Sequence, residues 1–157
     1  MKILRIITLA VMCFLLLSCD RAEQEVIIIP KDYTGYVLII FNQPNGTAPI
    51  YENERRIYTI PANGILKTKF SPNPGWMGFP DFYFSKIAPE NKIPFEADMK
   101  TLPIDRIVAY GGTAGSINRD STGKEKIRVL TYHVGNKAQI SSSYEKVQKV
   151  DILRQSD

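Results

Sequence analysis

The chain has 157 residues, a formal net charge of +4, two cysteines and one histidine. That length supports one domain with its own core, and the modest charge without a Lys/Arg block argues against a nucleic-acid partner. Both cysteines, Cys13 and Cys19, lie near the start, so the rest of the chain has no thiol for a disulfide or a thiolate metal cluster.

Lys2 and Arg5 precede an uncharged apolar run from Ile6 to Leu17, the pattern of a signal peptide. At about 1.5 Å per residue, roughly a dozen helical residues reach about 18 Å, short of a hydrocarbon core of about 30 Å. Leu16-Leu17-Ser18-Cys19 resembles the lipobox of bacterial lipoproteins. The resemblance implies cleavage before Cys19, a diacylglycerol on its thiol and acylation of the freed amine with palmitate or a similar chain. Cys13 follows Met12, which is not small, and using it would halve the apolar run. An uncleaved membrane anchor and ordinary secretion are the competing readings.

The expected division is therefore residues 1–18 as signal peptide, 19–25 as lipidated Cys19 and a short polar tether, and 26–157 as a β-rich domain. Cleavage removes Lys2 and Arg5 from 20 basic residues and leaves the 16 acidic ones, a net charge of about +2. The expected location is the bacterial cell envelope, held to a membrane by lipid, with the choice between inner membrane, outer membrane and cell surface open.

Val26 to Ile29 reads as a strand stopped by Pro30, and Gly35 opens the continuous apolar run Tyr36 to Phe41, which predicts a strand covered on both faces. Asn42 to Pro49 is dense in turn formers around Asn45-Gly46. Arg56 to Ile60 and Ile65 to Phe70, joined by Pro61-Ala62-Asn63-Gly64, are expected to form a hairpin, with Leu66, Thr68 and Phe70 on one face and Lys67 and Lys69 on the other. Ile29-Pro30 to Gly35 and Ile60-Pro61 to Gly64 share a strand, Pro, turn, Gly, strand layout, but two copies are too few to count as a repeat.

Ser71 to Pro80 is the richest Pro/Gly segment and holds the single Trp. Trp76, Phe79, Phe82 and Tyr83 form the candidate binding surface, for a sugar, a peptide or a lipid headgroup. The competing reading plugs the core with Trp76 and Phe82 or Phe84. Ala88 to Pro103 is expected to cross between sheets or cover an edge. Asp105 to Tyr110 reads as a strand running into a flexible loop over Gly111 to Ser116, and Lys126 to Val134 as a further strand. Ser142-x-x-Glu145 fits a capping box, placing a short amphipathic helix over Tyr144, Val147, Val150 and Leu153.

Chemical motifs are sparse. His133 has no second imidazole and is expected on a partly exposed strand face; paired with Asp81, Asp105 or Asp120 it would make a hydrolase. The carboxylates show no calcium loop and no acid/base pair, so neither a metal nor a cofactor is expected. The lipobox followed by Ile29-Pro30-Lys31-Asp32-Tyr33-Thr34-Gly35-Tyr36-Val37, then Ile60-Pro61 with Asn63-Gly64-Ile65-Leu66-Lys67-Thr68, resembles a group of small bacterial lipoproteins with a domain of unknown function. The resemblance implies a shared export route and a β-rich fold. The expectation is thus a mostly β protein, a sandwich of about six to eight strands with a C-terminal helix. It would act as a non-catalytic binding or structural lipoprotein whose partners are the membrane and an envelope protein or glycan. An envelope hydrolase and an inhibitor or immunity lipoprotein are the alternatives.

Overall fold

The computed structural model describes residues 22–156. The expectations for the signal segment, Cys13 and Cys19 lie outside that range. Ten strands make two five-stranded sheets: β1 Glu25–Ile29, β2 Gly35–Ile40, β3 Tyr51–Glu52, β4 Arg55–Thr59, β5 Ile65–Lys67, β6 Asp81–Phe84, β7 Lys92–Ile93, β8 Phe95–Glu96, β9 Val108–Asn118 and β10 Lys126–Gly135. One sheet has the order β3-β4-β1-β6-β7, the other β5-β2-β10-β9-β8. The fold is mostly β, as the alternating and continuous apolar runs require. The strand number exceeds the sequence expectation because β3, β7 and β8 are two-residue edge pairings too short to leave a periodic signature.

The core lies between the sheets. Ile27, Ile29, Tyr58 and Phe82 from the first meet Val37, Ile39, Tyr132 and Val134 from the second. The opposite face of β2, carrying Leu38 and Ile40, packs with Ile127 and Val129 of β10 against Val150 and Ile152. The unbroken apolar run of β2 is thus explained by cover on both sides. Beyond β10 comes α1, Lys137–Gln148, and then α2, Ile152–Gln155. Ile140 of α1 packs with Leu102 and Val108, making a third layer.

Three expectations are corrected. Arg56–Ile60 and Ile65–Phe70 are not a hairpin: β4 pairs in parallel with β1, and β5 in parallel with β2. The Pro61 to Gly64 turn carries the chain from one sheet to the other instead of reversing it. Pro30 to Gly35 makes the same crossing between β1 and β2. The shared layout therefore marks two crossings set side by side, and Leu66, Thr68 and Phe70 are all buried, on the one face that the alternation requires.

Gly111 to Ser116 is strand, not loop, because the ladder with β10 runs from Asn118 to Val108. Its glycines fit that role. A Cβ at position 112 would stand 3.2 Å from the Tyr132 ring and one at 115 would stand 3.3 Å from Val129. The register shifts at Thr131/Tyr132, where Gly111 and Gly112 take φ of +112° and +102°, a bulge that glycine permits.

The C-terminal helix starts earlier than expected. Asn136 is the N-cap: its side chain accepts from Gln139 N while Gln139 reaches back to Asn136 N. Ser142 and Glu145, where the sequence pattern predicts the reciprocal cap, are exposed residues inside α1. Leu153 is exposed as well.

Candidate functional site

The Pro/Gly-rich segment from Ser71 to Pro80 links β5 of one sheet to β6 of the other. It is pinned at its start. Phe70 is buried edge-on to Tyr58, with ring centroids 5.4 Å apart, and Arg56 stacks over its ring at 4.9 Å while donating to Ser71 O at 2.7 Å. Arg56 is itself paired with Glu23.

The segment is also stitched to the first described residues. Asn73 accepts from Glu23 N at 3.0 Å through Oδ1 and donates through Nδ2 to Glu23 O at 2.7 Å and to Glu25 Oε1 at 3.2 Å. Gln24 Nε2 donates to Phe79 O at 3.3 Å. Gly75 lies so close to Ala22 that a Cβ on it would come 2.9 Å from that of Ala22.

Held this way, the tip turns its side chains outward. Trp76 is 74% exposed, Met77 60% and Phe79 46%. From Trp76 an aromatic path leads inward. Phe79 is edge-on to Trp76 at 5.8 Å and stacked on Phe95 at 4.3 Å, Phe95 lies 5.9 Å from Phe82, and Phe82 is edge-on to Tyr132 at 5.1 Å. Of the four residues proposed from sequence, Trp76 and Phe79 therefore lie on the surface and share one rim. Phe82 and Tyr83 do not: Phe82 is 1% exposed in the core, and Tyr83 is buried on the far face of the first sheet with Val26 and Ile57. Strand alternation from Asp81 puts both out of reach of a ligand at the rim.

Beneath the loop runs a groove of about 280 Å³. Gly112 and Ala114 of β9, Arg128 and Leu130 of β10, and Glu23 and Glu25 are among the residues that line it. Burial is the main influence on Glu25 and pushes its carboxyl above the usual carboxylate range, against hydrogen bonds from Tyr58 and Asn73 that favour the charged form. This set offers apolar surface, the carboxyl groups of Glu25 and of Glu23, the latter paired with Arg56, and the Arg128 guanidinium. It is equipped for burial and hydrogen bonding.

His133 is elsewhere, on the face of β10 under α1. It is 2% exposed, stacked on Tyr144 at 3.9 Å, with Nδ1 2.6 Å from Ser143 Oγ, which also donates to Ile140 O at 2.7 Å. The expected half-exposed face is corrected by α1, which begins early enough to cover it. Burial lowers the imidazole to about 4. Its proposed carboxylate partners are engaged apart from it: Asp81 pairs with Lys92 at 2.9 Å, Asp120 accepts from Thr122 at 3.0 Å, and Asp105 is exposed ahead of β9. Among the described residues no three of His, Cys, Asp and Glu converge as metal ligands. No described helix is long and apolar enough to cross a membrane.

Asn73, Glu25, Phe95 and Arg128 were not singled out from sequence. None sits in a recognisable motif; the crossing of the chain between sheets brings Asn73, Glu25 and Arg128 to one groove and sets Phe95 against Phe79 of its rim.

The match to a family model covers residues 21–145, and the family is one of unknown function, DUF6843. The chain belongs to that family. No curated protein matches it. Among solved structures it resembles a crystal structure described as that of a candidate lipoprotein from Bacillus anthracis, with a TM-score of 0.56 at 16% identity, over 86% of this chain and 94% of that one. At that identity the likeness concerns the fold. DUF6843 thus describes here a two-sheet body with a helix laid on its second sheet.

Proposed function

We propose that this DUF6843 protein is a lipid-anchored, non-catalytic module of the bacterial cell envelope, fixed to a membrane through Cys19 and presenting the groove under the 71–80 loop. The observation that carries the reading is Cys19 itself, preceded by an apolar run with Leu16 and Ser18 in lipobox positions. The description of its structural neighbour as a candidate lipoprotein supports the same assignment. One acyl chain binds a bilayer only reversibly, whereas two or more give stable anchoring.

Non-catalytic action is supported by the chemistry on offer. The sole imidazole is covered by Tyr144 and bonded to Ser143, and the groove pairs apolar side chains with a carboxyl already satisfied by Tyr58 and Asn73. Groove and rim together form the candidate binding surface, for a lipid headgroup, a glycan or an envelope protein.

The test is Cys19→Ser in the full-length protein, expressed with radiolabelled palmitate. The wild type takes up label and sediments with membranes. The variant loses the label and either accumulates as an unprocessed precursor or leaves the membrane fraction. Label retained by the variant refutes Cys19 as the anchor.

A further inference from the structure

We infer that the bilayer surface itself is what the aromatic rim engages: Trp76, Met77 and Phe79 enter the interfacial layer of the membrane that holds Cys19, and so fix the orientation of the sandwich. The inference rests on the lipidation of Cys19 proposed above and names the partner of the same site.

Three large apolar side chains stand exposed within four residues. Single exposed apolar residues are ordinary, whereas a contiguous patch marks a contact surface. The rim sits where the anchor must be. Ala22 packs on Gly75, the backbone N–H and C=O of Glu23 both bond to the Asn73 side-chain amide, and Gln24 bonds to Phe79 O. The chain thus leaves the fold along the loop that carries the patch. Tyr51, also exposed, reaches the Glu23 carboxylate at 3.4 Å and belongs to the same end of the molecule.

Only Asp20 and Arg21 lie between Cys19 and Ala22, and the three Cα-to-Cα steps reach at most about 11 Å even fully extended. A compact domain of this length has a radius of gyration of about 14 Å. The opposite end of the protein therefore stands far from the lipid, and the 71–80 loop cannot. A folded partner would have to enter a gap of about 11 Å to cover the patch, while the interface is already there. Trp and Tyr suit that layer because each joins an apolar ring to a polar tip.

Trp76 is the only Trp, so it reports on itself. The full-length protein, processed in its host and reconstituted in phosphatidylcholine/phosphatidylglycerol vesicles, is examined by amino-terminal mass spectrometry and by Trp fluorescence with brominated phosphatidylcholine or aqueous iodide. An interfacial group lies about 5–10 Å into the headgroup and acyl boundary, so bromine in the upper acyl segment is expected to quench emission about twofold, with iodide excluded. Met77→Asp, at an exposed site, is expected to restore iodide access while far-UV circular dichroism and acylation stay unchanged.

Acylated Cys19 with Trp76 open to iodide and untouched by bromine overturns the docking and leaves the anchor standing. Shielding from both quenchers overturns it as well, in favour of cover by protein. Quenching in Met77→Asp equal to wild type also overturns it. An unmodified Cys19 removes the anchor, and the docking falls with it.

Discussion

The Tyr33 hydroxyl occupies the space in which a Cβ on Gly64 would stand, and it donates there to Tyr36 O. One crossing between the sheets thus supplies the side chain that fills the turn of the other, and Gly64 N–H and C=O are committed to Pro61 O and Leu38 N.

Gly64→Ala follows directly. Residue 64 has φ +78°, and its new methyl would meet Tyr33 and come 2.5 Å from Tyr36 O. Left-handed backbone and overpacking together predict a loss of about 2–4 kcal/mol, read from the urea midpoint. Tyr33→Phe in the same chain should recover part of it, so that the double variant is less destabilised than the sum of the singles. Strict additivity would show that the two turns do not share this space.

The four aromatics of the candidate surface should divide by burial. Phe82→Ala opens the core between the sheets and is expected to cost about 3–5 kcal/mol. Trp76→Ala, at the exposed tip, is expected to shift stability by no more than about 0.5 kcal/mol. Equal losses in denaturant titrations would contradict the division.

Strands that announce themselves locally were legible in the sequence. Val26 to Ile29, Tyr36 to Phe41 and Lys126 to Val134 are runs of β-formers bounded by Pro or Gly, and each forms where it was expected. The joining of strands into sheets was not legible, because a Pro-to-Gly turn serves a reversal and a crossing equally well. What decides is the parallel pairing of Val26 with Ile57 and of Ile39 with Leu66, both far apart in the chain. Composition also misled at Gly111 to Ser116, where the ten-residue β10 recruits its partner despite weak local propensity. At the site, an aromatic-rich stretch was visible, but which rings face out depends on how Asn73 and Phe95 hold the loop.

The helix cap gives a sharper contrast. Asn136→Ala removes an acceptor from Gln139 N and is expected to cost about 1 kcal/mol. Ser142→Ala, within α1 and exposed, is expected to change stability by less than about 0.5 kcal/mol. The two urea midpoints decide between a helix beginning at Lys137 and one beginning after Ser142.

His133 makes the fold sensitive to acid. Its imidazole is lowered by burial from the usual 6.5 to about 4, so between those values the unfolded chain binds more protons than the folded one. Stability from this group is complete above about 6.5, falls as the pH drops towards 4, and changes no further below. At about 1.4 kcal/mol per unit the loss is about 3 kcal/mol. Glu25 acts in the opposite sense: burial raises its carboxyl, so its contribution weakens as pH rises past its ordinary value. Comparing wild type with His133→Gln at each pH cancels Glu25 and isolates the imidazole. The variant, whose amide can still bond to Ser143, should lose about 3 kcal/mol less than wild type between pH 7 and pH 4. Parallel stability curves would mean that His133 keeps its ordinary affinity for protons, and that Tyr144 and α1 do not seal it from water.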